Sequence, residues 1–233
     1  MPEHIVKSFS AELQRLSDLI TQMGGSAEAQ VEAAVRAVAR RDPDIAAAVV
    51  GADARVDAYE TEVDAEAVRL LALRQPMAGD LREILAALKI AAELERIGDH
   101  AANIAKRAIT LSKMPAAPPA TAIPRMGRLV QEIVKDVLDA YIERDVAKAF
   151  AAWHRDEELD TLHTNLFHET LACMTGDPRH IAPCTHLLFI AKNLERIGDH
   201  ATNVAETIHF LVVGKPLSEA RPKGDTSSTA VIE

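Results

Sequence analysis

Acidic side chains recur at four-residue intervals in this chain: Glu95 with Asp99, Glu195 with Asp199, Asp53 with Asp57, and Asp156 with Asp160. Four residues is about one helical turn, so on a helix each pair stacks into a stripe on one face. Asn103 and Asn203 extend two of the stripes by a further turn. Stacked carboxylates repel each other by a few tenths of a kcal/mol, so a helix gains no stability from them. If two such pairs lie on adjacent antiparallel helices, four carboxylates meet in one patch, and that patch needs cations. Ligand sets made only of oxygen suit hard ions such as Mg²⁺, Mn²⁺, Ca²⁺ or iron. Four carboxylates also exceed the charge of one divalent ion, which admits a multinuclear cluster. The competing reading is a solvated helical face on which Glu95, Arg96 and Asp99 form surface ion pairs of about 0 to 1 kcal/mol. Duplication of the arrangement weighs against that reading, because a solvated face has no packing reason to recur.

The duplication extends well beyond the acids. Residues 94–101 read LERIGDHA, and residues 194–201 read the same eight letters one hundred positions later. Asn103 and Asn203, Ala105 and Ala205, and Ile104 and Val204 continue the match, which marks an internal repeat. Between the copies, Met114 to Pro124 holds four prolines and no helical periodicity. We therefore expect an all-α fold of two tandem, similar three-helix bundles with six long helices. The division is residues 1–113, a proline-rich linker at 114–124, residues 125–213, and a polar tail at 214–233 that is expected to be disordered.

In the first half the apolar periodicity predicts helices from Phe9 to about Val38, interrupted or kinked at Gly24-Gly25, then to about Arg74, and then from about Gly79 to Ser112. Asp42 before Pro43 reads as an N-cap, and Gln75-Pro76 as a stop. The second half repeats the plan over about Ile123 to Arg144, Val146 to Met174, and a last helix ending near Val213.

Each closing helix has an apolar seam. Ile90, Leu94, Ile97, Ala101, Ile104, Ala108 and Leu111 follow a 4-3-4-3 spacing, and Ile190, Leu194, Ile197, Ala201, Val204, Ile208 and Leu211 repeat it. The acidic rungs lie off the seam, on an outward or flanking stripe. Asp53, Asp57, Glu60 and Asp64 each follow a seam residue, which puts them on an edge toward a neighbouring helix; in the second half His163 and Phe167 replace the last two. Gly98 and Gly198 suit a close helix approach. His100 and His200 read as packing or partner contacts, Arg96 and Arg196 as partners of the adjacent carboxylates, and Trp153 as core.

A formal net charge of −9 disfavours nucleic acid as a partner, since nonspecific affinity there comes from basic residues that neutralise phosphates. Only 3% of residues are aromatic, which favours closely packed alanine-rich helices. Cys173 and Cys184 form neither a CxxC pair nor part of a zinc motif, and both are expected to be reduced. No apolar run reaches the ~18 residues of a membrane span, and the N-terminus lacks a signal-peptide pattern, so a cytoplasmic location is expected. No Gly-rich phosphate loop, nucleophile beside a base, or inward Glu-x-x-His pair is present, so we expect a binding protein and not an enzyme.

The segments RQPMAGDLR at 74–82, ELERIGDHAANI at 93–104 and NLERIGDHATNV at 193–204 resemble the PhoU family of phosphate-system regulators. The resemblance covers roughly residues 5–213; it departs at Gly176-Asp177-Pro178-Arg179-His180, where the second half lacks the RQP-type sequence. It implies tandem three-helix bundles whose acidic motifs hold multinuclear clusters of divalent or trivalent metal ions, among them iron, zinc, manganese or magnesium. Carried over by position, the ligands are Asp53, Asp57, Glu95 and Asp99 in one half and Asp156, Asp160, Glu195 and Asp199 in the other. It further implies negative regulation of phosphate uptake and starvation signalling, through the phosphate ABC transporter ATPase and a sensor histidine kinase at the membrane. A homodimer is expected as well.

Overall fold

A computed structural model describes residues 2–219, 221, 224 and 225, with side chains from Phe9 onward. Among the described residues the chain forms six α-helices: α1 (Pro2–Arg40), α2 (Pro43–Arg74), α3 (Ala78–Leu111), α4 (Ile123–Glu143), α5 (Val146–Gly176) and α6 (Ile181–Val213). Helices α1, α2 and α3 pack on one another, as do α4, α5 and α6, giving the two expected three-helix bundles. The bundles are not beads on a string. The most extensive packing between any two helices is that of α3 against α6, and α1 also lies along α4.

Local chemistry explains the boundaries. The Asp42 carboxylate accepts from the Asp44 and Ile45 amides at 2.9 and 3.1 Å, with Pro43 preset for the first turn of α2. Asp145 does the same for α5, accepting from Ala147 and Lys148 at 2.8 and 3.0 Å. At its far end α2 stops where Gln75 enters the left-handed region at φ 48°.

Helix α1 runs unbroken through Gly24-Gly25, where an interruption or kink was expected. The reason is packing: a Cβ on Gly24 would collide with the Leu138 side chain of α4, so this glycine lets two helices approach. Gly127 on α4 faces Val35 on α1 in the same way. The proline-rich stretch contains a 3-10 turn at Pro118–Ala122, with Ala117 and Pro119 buried. Arg41 ties its start to the first bundle by donating to the Leu111 and Met114 carbonyls.

Both seams are in the core; only Leu211, at the end of the second, is half-buried. Trp153 is buried too, its Nε1 donating to Glu206 at 3.0 Å. Gly214 ends α6 at φ 78°. Of the tail beyond, Arg221, Gly224 and Asp225 lie against α5 and α6. The remainder of the stretch expected to be disordered, residues 220, 222, 223 and 226–233, lies outside the described residues.

Candidate functional site

In the first bundle α2 and α3 bring Asp53, Asp57, Glu95 and Asp99 onto one patch. Gly98 sets the approach, since a Cβ there would meet the Gln30 Oε1 at 3.0 Å and the Val56 side chain at 3.4 Å. Asp53, Glu95 and Asp99 are half-buried and Asp57 is exposed. Partial burial, then the charges of Asp99 and Asp57, hold the Asp53 carboxyl above its ordinary range. Glu95 is raised by burial and next by Asp99, with Glu60 and Asp57 adding to it. Glu60 is raised in turn by burial and by Asp64, Asp57 and Asp99, so it belongs to the same acidic patch. Arg96 lies 3.4 Å from Glu95 and 3.7 Å from Asp99, but its exposed guanidinium offsets little of this repulsion.

The second bundle departs from the flanking stripe anticipated for it. Asp156, Asp160 and Glu195 are buried, with 2%, 5% and 6% of their surfaces exposed. A Cβ on Gly198 would collide with Leu159 and lie 2.7 Å from the Asp156 Oδ1, so α5 and α6 are as close as side chains permit. Burial is the main reason that Asp156 is pushed up to about 6, with Asp160 and Asp199 adding to the rise and Arg221 opposing it. Glu195 is raised mainly by burial, with Lys192 opposing and Asp199 reinforcing.

Counter-charge comes from groups that spacing alone does not announce. The Arg221 Nη2 lies 2.5 Å from Asp156 and 2.6 Å from Asp199. The amides of Gly224 and Asp225 donate to the Asp160 Oδ2 at 2.8 and 3.2 Å. Lys192 donates to Glu195 at 2.8 Å and reaches Asp225 at 3.4 Å, while the His163 Nδ1 is 3.5 Å from Asp225. Asp160, Lys192, Glu195, Arg196, Asp199 and the two tail side chains Arg221 and Asp225 line a cavity of about 320 Å³. Even so, the Asp156 Oδ1 and the Glu195 Oε2 are buried without a hydrogen-bond partner, Arg196 coming only to 4.0 Å of the latter.

Two orphaned carboxylate oxygens in an all-oxygen patch suit a hard cation. Among the described residues, no three His, Cys, Asp or Glu side chains already close around one ion.

Not every rung of the ladders joins its patch. Asn203 donates to Glu93 on α3 at 3.0 Å, and so serves the contact between bundles. His200 shares that carboxylate at 2.7 Å, His100 pairs with Asn193 at 2.9 Å, and the two imidazoles stack with centroids 5.3 Å apart. Burial lowers the His100 pKa, as befits a packing residue.

Two copies of one acidic helix pair on a duplicated three-helix frame match a known family model, that of the PhoU domain, over residues 20–108 and 123–208. The chain belongs to the PhoU family. It is 54% identical to a phosphate-specific transport system accessory protein PhoU homolog of Caulobacter vibrioides, covering 98% of this chain and all of that protein. A Rhizobium meliloti protein of the same description is 46% identical, covering 97% of this chain and 96% of the other. In three dimensions the chain superposes on the crystal structure of PhoU from Pseudomonas aeruginosa with a TM-score of 0.87 at 37% identity, covering 89% of this chain and 100% of that one. The phosphate transport system regulatory protein PhoU from Streptococcus pneumoniae gives a TM-score of 0.83 at 27% identity, covering 91% and 100%. The two PhoU repeats thus coincide with the two bundles, and each contains one of the acidic patches.

Proposed function

We propose that this member of the PhoU family is an accessory regulator of phosphate transport that binds hard metal ions at its two acidic patches and acts by contact rather than catalysis. The partners implied by the sequence resemblance are the phosphate transporter's ATPase and a sensor kinase, met on the cytoplasmic face of the membrane. Among the described residues no helix is long and apolar enough to cross a membrane itself.

One observation carries the cation reading: each bundle gathers two carboxylate pairs, and in the second bundle the Asp156 Oδ1 and Glu195 Oε2 are buried without a partner. Burying such oxygens costs about 1 to 3 kcal/mol each unless something satisfies them. A cation, by coordinating them, would remove that cost and the mutual repulsion together. Asp53, Asp57, Glu95 and Asp99 would hold it in one repeat, and Asp156, Asp160, Glu195 and Asp199 in the other. Iron, zinc, manganese and magnesium all accept carboxylate oxygen, and a bound ion would supply positive charge at a surface that a partner could then recognise.

Elemental analysis tests this directly. Protein purified without chelator is compared with an Glu95→Ala, Asp99→Ala, Glu195→Ala, Asp199→Ala variant whose helicity is intact. The expected result is stoichiometric metal in the first and its loss in the second; no metal in either after reconstitution sinks the reading.

A second reading has its own support, because in the second repeat a guanidinium from Arg221 already sits between Asp156 and Asp199. The same patches can therefore accept an arginine from a basic partner without metal. Binding to the transporter ATPase that persists unchanged in chelator would favour this direct contact. Metal-dependent turnover abolished by Asp99→Ala would instead make the protein an enzyme.

A further inference from the structure

We propose that Arg221, Gly224 and Asp225 form an intramolecular strap that occupies the second acidic patch and competes there with metal ions, so that the two repeats differ in cation affinity. The proposal rests on the cation-binding reading of the patches, and adds a regulatory difference between them.

The strap touches the carboxylates of both helices. Arg221 reaches Asp156 on α5 and Asp199 on α6 at 2.5 and 2.6 Å, spanning the space between the helices where a shared ion would lie. Its planar guanidinium can serve two carboxylates at once, which an ammonium does less well. Asp160 accepts two tail amides, from Gly224 at 2.8 Å and Asp225 at 3.2 Å. Asp225 then meets Lys192 at 3.4 Å, which also holds Glu195 at 2.8 Å. All four candidate ligands of this repeat are thus engaged by the tail or by a lysine that the tail contacts.

The backbone fits closely as well. A Cβ on Gly224 would lie 3.2 Å from the Asp160 Cβ and 3.2 Å from the Glu157 carbonyl oxygen, so the chain passes nearer to α5 than a side chain would comfortably allow.

This substitute for an ion is incomplete. Arg221 and Lys192 bring two positive charges to four carboxylates, Asp225 of the strap adds a fifth carboxylate, and the Asp156 Oδ1 and Glu195 Oε2 keep no partner with the strap in place. A multivalent ion satisfies what Arg221 leaves, so displacement of the strap is chemically reasonable. In the first repeat Arg96, on α3 itself, stands beside Glu95 and Asp99, and Lys106, also on α3, lowers Asp53. These are side chains of the helix that carries the patch, not a segment that can leave.

A strap closed about nine-tenths of the time weakens apparent affinity about tenfold. The test uses the full chain with the first patch disabled by Asp53→Asn, Asp57→Asn, Glu95→Gln and Asp99→Asn, so that Mn²⁺ titration reads the second patch alone. In that background Arg221→Ala should tighten Mn²⁺ binding by about tenfold, and Arg221→Lys should fall between. In the metal-free chain with Arg221 intact, the Gly224 and Asp225 amides should be protected from hydrogen exchange, and saturating Mn²⁺ should remove that protection. Equal Mn²⁺ affinities with and without Arg221, or unprotected amides in the metal-free chain, overturn the strap while leaving metal binding standing. Absence of Mn²⁺ binding at both patches in otherwise unaltered protein overturns the cation reading, and the competition falls with it.

Discussion

Asp156 concentrates the conflict between burial and charge in this molecule: it is 2% exposed, and burial pushes its carboxyl up to about 6 from 3.8. Because the folded chain holds that proton more tightly than the unfolded chain, the group's contribution is fully present below about pH 4 and is lost as pH rises through about 6. In metal-free protein the loss is at most about 3 kcal/mol. Urea titrations at fixed pH values should show it, and Asp156→Asn should flatten the decline between pH 4 and 6; an unchanged slope would mean the carboxyl is not strained. Gly198 feels the same crowding from the opposite helix. Gly198→Ala should lower stability by about 1 to 3 kcal/mol, because fully buried Leu159 has nowhere to retreat. Gly25→Ala, on an open face of α1, should instead gain about 0.5 to 1 kcal/mol, which separates crowding from helix propensity. The acidic pairs themselves were legible from four-residue spacing, since that spacing alone dictates a common helical face. Burial of the second set was not, because it reflects the close approach of α5 and α6 at Gly198 together with tail contacts such as that of Arg221, which lies 65 residues beyond Asp156 in a tail with no apolar pattern.

At the scale of elements, legibility follows how local the determining chemistry is. Asp42 before Pro43, and Asp145 before the apolar run of α5, act within three residues of themselves, so helix starts can be placed closely from sequence. Each cap should be worth about 1 kcal/mol, so Asp42→Ala and Asp145→Ala should each lower the urea-derived stability by that amount, and their sum in the double variant. A double loss much smaller than the sum would show that the two caps are coupled. Gly24-Gly25 misleads for the opposite reason. Two adjacent glycines look locally like a break, whereas Gly24 answers to Leu138, more than a hundred residues away on α4. The proline-rich stretch shows the same limit: its composition marks the end of one repeat, but the contacts that anchor it come from Arg41 in the turn between α1 and α2, about seventy residues earlier in the chain. The internal repeat, by contrast, made the duplicated three-helix plan readable without any such contact, since each copy carries its own seam.

Whether the two repeats behave as one body is a question for the whole molecule. The tandem pattern suggests separate units, but packing joins them along α3 with α6 and α1 with α4, and through a polar cluster of Glu93, His200, Asn203, His100 and Asn193. Trp153, the chain's single tryptophan, is buried in α5 and reports on the second repeat alone, while far-ultraviolet circular dichroism reports on all six helices. If the interface couples the repeats, urea curves followed by these two signals should superimpose. Glu93→Ala removes the acceptor shared by His200 and Asn203, half-buried groups that then lose their partner, at a cost of about 1 to 3 kcal/mol. Both signals should then shift to lower urea together, although Glu93 belongs to the first repeat and Trp153 to the second. A shift in the circular dichroism curve that leaves Trp153 fluorescence in place would show the repeats unfolding independently, and the continuous interface would then be a contact between two domains rather than part of one cooperative core.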